Sequence, residues 1–177
     1  MRVISGKYKG KNLLGFDIDG TRPTMDRVKE SLMAMIQGYI PDAICLDLFG
    51  GSGSLGIEAI SNGAKTCIFC DNNQIAINTM KENTKMIKED IQIIKTDYQT
   101  YLNSCNTKFD IIFLDPPYKL NLINNCLELI KNNDLLSEEG IIVLEYENER
   151  IDSFDYDIYK QKKYGSKNIM ILKNNKW

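Results

Sequence analysis

Four aspartates and one glycine-rich run carry most of the chemistry this sequence offers. Asp115-Pro116-Pro117-Tyr118 closes the apolar run FDIIFLD (109–115). A Pro-Pro pair stiffens a loop and removes two N–H donors, so the local carbonyls face outward as acceptors. The Asp115 carboxylate and the Pro116 carbonyl then suit a planar exocyclic amine. They would hold its two hydrogens and draw its nitrogen toward tetrahedral geometry, with positioning as the main source of rate. Pro117 completes the stiff turn, and Tyr118 offers a face on which a splayed-out base stacks, typically worth ~1–3 kcal/mol. The bland alternative is a simple Pro-Pro turn.

Gly51, Gly53 and Gly56 match G-x-G-x-x-G after one apolar run (44–49) and before a helical pattern, which points to a nucleotide cofactor. The glycines alone suit NAD(P) and S-adenosylmethionine equally. Asp47 tips the balance, because a carboxylate beside this loop repels a pyrophosphate and pairs with the ammonium of a methionine moiety. Its alternative role is to cap the next helix. Asp71 closes the second apolar run and is placed to accept both ribose hydroxyls. Asp97 closes the third and would reach an adenine amino group. Acids at the C-terminal ends of three consecutive parallel strands lie where such sheets bind ligands.

These residues need a sheet to align them. Strands are predicted at 44–49, 66–71, 91–97, 109–115 and 140–147, with helices from about 54 to 62 and at 73–88, 98–105 and 121–132. Unbroken apolar strands alternating with helices mean a parallel sheet covered on both faces. The tail (154–163 and 168–173) reads as an antiparallel hairpin. Residues 2–14 read as a small β-hairpin, 17–23 as a loop, and Thr24 as the N-cap of a helix over 25–37. The expected fold class is α/β: a Rossmann-like class I methyltransferase with a mostly parallel seven-stranded sheet and a C-terminal antiparallel hairpin. An N-terminal extension (1–40) precedes the methyltransferase domain (41–177).

Composition narrows the chemistry further. The 177 residues include no histidine, which removes Ser-His-Asp and Cys-His nucleophiles and His-ligated metals. No metal is expected. Cys67 and Cys70 form a lone C-x-x-C without a second pair, better read as a strand than as a zinc site. Five scattered cysteines, no apolar run of spanning length and no signal-like N-terminus point to reduced thiols in a cytoplasmic protein, with no membrane role. The net charge of −2 is unevenly spread: residues 1–30 carry +3, residues 160–177 carry +6, and the middle carries −11. Basic ends on an acidic body suit a polyanion held locally; the alternative is a solvated lysine-rich surface.

DLFGGSGSLG (47–56) with DPPY (115–118) resembles amino-group N-methyltransferases. RVISGKYKGK (2–11), RPTMDRVKESL (22–32) and KYGSK (163–167) resemble the RsmD family in particular, over nearly the whole chain. Gly50 departs from the usual alanine and Asp71 from the commoner glutamate. The resemblance implies methylation of a guanine N2 amine in 16S ribosomal RNA, free or in a partly assembled small subunit, by a monomer using S-adenosylmethionine. It implies cofactor contacts from Phe49, Ser52, Asn72 and Thr24 beside the residues above. It also implies RNA contacts from Arg2, Lys7, Lys9, Lys11, Arg22, Arg27, Lys163 and Lys167, with Tyr164 near them. An adenine-N6 methyltransferase shares D-P-P-Y, but the chain has no room for a target-recognition domain. A glutamine methyltransferase normally carries Asn-Pro-Pro-Tyr. A non-catalytic RNA-binding assembly factor would not need the set of four aspartates, and an NAD oxidoreductase would have to explain Asp47.

Overall fold

A computed structural model describes residues 1–15, 22–152 and 155–175, with residues 22–24 as backbone only. In chain order its elements are α1 (Arg22–Ile36), β1 (Ile44–Asp47), α2 (Ser54–Ser61), β2 (Thr66–Asp71), α3 (Gln74–Asn83) and β3 (Asp90–Lys95). They continue as α4 (Tyr98–Ser104), β4 (Phe109–Leu114), α5 (Ile123–Asn132), β5 (Leu136–Tyr146), β6 (Tyr156–Tyr164) and β7 (Lys167–Asn174). The seven strands form one sheet in the order β3-β2-β1-β4-β5-β7-β6. β1 to β5 pair in parallel, and β7 runs antiparallel to both β5 and β6. This is the expected class I layout.

The apolar runs become strands because both sheet faces are covered. Cys45, Phe69, Ile111, Phe113, Val143 and Ile171 point to the side holding α1, α2 and α3. Their neighbours Leu46, Cys70, Ile112, Leu114, Leu144 and Leu172 point to the side holding α4 and α5. Each fully buried Val, Leu, Ile or Phe among them contributes about 1.5–3 kcal/mol. Cys67 and Cys70 belong to this buried β2 and are not disulfide-bonded.

Several boundaries differ from the sequence reading. The N-terminal segment forms the expected hairpin in a short, irregular version: Arg2 bridges Asn12 antiparallel, the Val3 N–H donates to the Lys11 carbonyl at 2.9 Å and the Leu13 N–H to the Met1 carbonyl at 2.8 Å. Beyond these bonds, the N–H groups of Ile4 and Ser5 donate to the buried Glu58 carboxylate at 2.9 and 3.0 Å. Gly6 makes that docking possible: at φ +80° a Cβ there would lie 2.0 Å from the Ser61 carbonyl oxygen. Thr24 is not an N-cap, because α1 already begins at Arg22. Pro23 sits in the first turn, where a missing N–H costs nothing. The side chains of Arg22 and Thr24, and most of the loop at 17–23, lie outside the described residues. α3 stops at Asn83 rather than Lys88, and the Asn83 amide turns to Leu14 and Ser52. β5 begins earlier than predicted, with Leu136 opposite Phe109 before a register shift.

Candidate active site

The aspartates named from the sequence gather along the C-terminal edge of the parallel strands. Asp47, at the end of β1, is 1% exposed and accepts the Gly56 N–H at 3.1 Å. Gly56 is the third residue of α2, so Asp47 does cap the helix, across space. Burial pushes the Asp47 carboxyl up to about 7, against the opposing pull of that N–H. Gly56 itself packs the helix on the sheet: a Cβ would lie 2.3 Å from the Phe69 ring.

Asp71, at the end of β2, accepts the Gly51 N–H at 3.0 Å and the Asn73 N–H at 2.9 Å. One carboxylate thus ties the glycine loop to the start of α3, where Asn73 caps the helix. Gly53 takes a left-handed conformation just before α2, and the Ser52 carbonyl is held by Asn83 at 2.8 Å. Asp97 caps α4, accepting the Thr100 N–H at 2.8 Å and the Thr100 hydroxyl at 2.7 Å. Those bonds lower its carboxyl pKa.

Asp115 follows β4 and lies where two lobes of one cleft meet. The larger lobe, about 690 Å³, is lined by Phe49, Gly51, Asp71, Asn72, Asp97 and Tyr98, then by Asp115 to Tyr118. The smaller lobe, about 220 Å³, is lined by Asp47, Phe49, Gly51, Ser52 and Lys29, together with Asp115, Glu145 and Lys167. Phe49 and Asp115 border both lobes. Phe49 lies against the Tyr98 ring, centroids 5.7 Å apart.

One site residue, Glu145, was missed, and Lys167, expected at RNA phosphates, sits in the cleft beside it. Glu145, on β5, is 8% exposed and accepts from the Tyr118 hydroxyl at 3.2 Å and the Lys167 ammonium at 3.1 Å. Lys167 also lies 5.9 Å from the Tyr118 ring centroid. Burial first, and the Glu145 charge second, raise the Asp115 carboxyl well above the usual range, opposed by Lys167. Burial likewise raises the Tyr118 phenol. Glu145 is an acid one residue short of the end of the parallel apolar strand β5, inside the run rather than at its stop.

The basic residues separate into two groups. Arg2, Lys9, Lys11, Arg27 and Lys163 are exposed. Lys7 is paired with Glu89 at 2.8 Å, and Lys167 is turned into the cleft rather than out toward phosphates. Tyr164 hydrogen-bonds Ser31, so it fastens the tail hairpin to α1. Beneath this surface the buried Lys29 bridges the Glu58 carboxylate at 3.1 Å, the Ser54 hydroxyl at 2.9 Å and the Arg2 carbonyl at 2.8 Å.

Sheet order, strand-end acids and D-P-P-Y turn together define a class I methyltransferase. Among similar proteins, YlbH of Bacillus subtilis is 44% identical over 154 residues, 84% of each chain. Ribosomal RNA small subunit methyltransferase D of Haemophilus influenzae is 33% identical, over 98% of this chain and 94% of that one. The structure of yhhF from Escherichia coli superposes with a TM-score of 0.88 at 26% identity, covering 99% of this chain and 98% of that one. The family described as Conserved hypothetical protein 95 matches residues 1–173, and the chain belongs to it, the RsmD family that its motifs resemble.

Proposed function

We propose that this chain methylates the exocyclic N2 amine of a guanine in 16S ribosomal RNA in the bacterial cytoplasm, using S-adenosylmethionine. The observation that carries the reading is the position of Asp115, which borders both lobes, with Pro116, Pro117 and Tyr118 lining the larger one beside it. The names of its relatives supply the RNA class.

The residues present fit the cofactor. Asp71, Asn72 and Asp97 line the larger lobe and suit the ribose hydroxyls and adenine amine. Asp47, Gly51 and Ser52 line the smaller lobe and suit the methionine end. When bound, S-adenosylmethionine supplies a methyl group on a sulfonium sulfur that leaves as a neutral thioether. Gly53 and Gly56 set the loop and helix that shape this lobe, and Phe49 stands between the lobes.

The chain's own part is orientation. The Asp115 carboxylate and Pro116 carbonyl accept the two amine hydrogens, which frees the nitrogen lone pair toward the cleft junction. The Tyr118 ring stacks on the base. Once methylated, the amine is acidic enough to give its proton to water or to a carboxylate, so no histidine is needed. Arg2, Lys9, Lys11, Arg27 and Lys163 are exposed for phosphate contacts. The test is mass mapping of modified nucleotides in small-subunit RNA from a strain lacking the gene, followed by in vitro methylation with the purified protein. Loss of one N2-methylguanine, restored in vitro, is the expected result. An unchanged map would overturn the reading.

A further inference from the structure

An amine on a base is always presented with its neighbours on the ring edge, and those neighbours differ between bases. Beside the guanine N2 amine lies the N1–H donor, and beyond it the O6 acceptor. Beside the adenine N6 amine, or the cytosine N4 amine, lies a ring nitrogen that only accepts. A site that takes guanine through N2 therefore needs an acceptor next to the amine's holder, then a donor.

The structure contains that series. Leu114 pairs with Leu144 in the parallel β4–β5 ladder, so the next residues, Asp115 and Glu145, stand side by side at the strand ends. Glu145 is opposite Ile169 in the antiparallel β5–β7 ladder, and Lys167 is two residues before Ile169, on the same face. The Lys167 ammonium reaches the Glu145 carboxylate at 3.1 Å, and all three side chains line one lobe. Read outward from the amine holder, the order is acceptor, acceptor, donor: Asp115, Glu145, Lys167. That is the complement of N2–H, N1–H and O6.

We infer that Glu145 and Lys167 select guanine, Glu145 accepting N1–H and Lys167 donating to O6 while Asp115 holds the N2 amine. This rests on the active-site assignment proposed above and adds its base specificity. The Glu145 carboxylate rejects adenine and cytosine by facing their ring-nitrogen lone pairs. The Tyr118 hydroxyl, which donates to the same Glu145 oxygen, fixes the carboxylate beside the stacking ring.

The test uses the ribosomal RNA fragment carrying the mapped guanine and the same fragment with 2,6-diaminopurine in its place. Diaminopurine keeps the N2 amine but loses N1–H and exchanges O6 for an amine. The wild-type protein should methylate guanine about 10–100-fold faster than diaminopurine, as expected for losing a bidentate base contact. Its affinity for the two RNAs, measured without cofactor, should differ in the same direction. In Glu145→Gln the amide donates to the N1 lone pair, so the rate ratio should fall to within about threefold. Lys167→Met should lower guanine methylation and narrow the ratio as well. If the wild-type protein treats the two bases alike, or if both variants keep the full ratio, the pair does not select guanine. If no methyl group reaches guanine N2 at all, it is the underlying active-site assignment that fails. The wild-type comparison holds even if a variant fails to fold.

Discussion

In the proposed reaction Asp115 is the residue that holds the amine. Its carboxyl is raised by burial and by Glu145, which makes the carboxylate a stronger acceptor for the hydrogens of an incoming amine. Asp115→Ala should lower kcat on the order of 10²–10³-fold while leaving the KM for S-adenosylmethionine nearly unchanged. Single-turnover methylation at a near-normal rate would show the turn to be structural. Tyr118→Phe keeps the stacking face but loses the bond to Glu145, whereas Tyr118→Ala loses both and should weaken RNA capture. Asp47 acts at the other end of the cleft. Its carboxyl, at about 7, carries a proton in the folded chain below neutrality. Ionisation therefore costs stability as pH rises from the ordinary carboxylate range through about 7. An ammonium ligand reverses this, so cofactor binding should release a proton and tighten between about pH 6 and 7. Calorimetry in two buffers of different ionisation enthalpy checks the proton count, and Asp47→Asn should abolish it. The same carboxylate should exclude NAD.

Among the elements, the strands and their closing acids were legible because continuous apolar runs and short polar punctuation are local signals. Asp47, Asp71, Asp97 and Asp115 follow directly from where those runs stop. Glu145 and Lys167 did not, because their partnership depends on β7 returning antiparallel beside β5, a register no local pattern states. The N-terminal hairpin was legible in its glycine-spaced pattern, but its anchor was not: the Ile4 and Ser5 N–H groups are taken by Glu58, more than fifty residues away. Thr24 looked like a cap until Pro23 was given its place inside the first turn. The buried Lys29–Glu58 pair now explains how this segment and α1 are fastened to α2 beside the smaller lobe. Removing one partner leaves the other charge buried, so Glu58→Ala should cost about 3–5 kcal/mol. At this size each kcal/mol lowers Tm by about 2–4 °C. A Tm within a degree or two of wild type would mean the clamp is dispensable.

At the scale of the whole molecule, a net acidic body is flanked by net positive charge at the two ends of the chain. The fold decides which of them remain available to a polyanion. Lys9 and Lys11 are exposed, whereas Lys7 is already neutralised by Glu89. Burial works to raise the Glu89 carboxyl, yet the bonds from Lys7 and from the Tyr8 hydroxyl outweigh it and bring it to about 2. A carboxyl held low contributes stability above its unfolded value and loses it as pH falls toward about 2, so this pair is intact wherever RNA binding would be measured. Each lysine that neutralises a phosphate steepens the salt dependence of binding by roughly one unit of logarithmic slope. Replacing Lys9 and Lys11 together by alanine should therefore reduce the slope by about two and weaken RNA binding without changing cofactor affinity. Lys7→Ala should change the slope by much less and should instead lower Tm slightly, because it leaves Glu89 with the Tyr8 hydroxyl alone. Fluorescence anisotropy with ribosomal RNA across a salt series distinguishes the two. A slope that falls with Lys7→Ala and not with the double variant would place the RNA on the Glu89 side of the N-terminal segment.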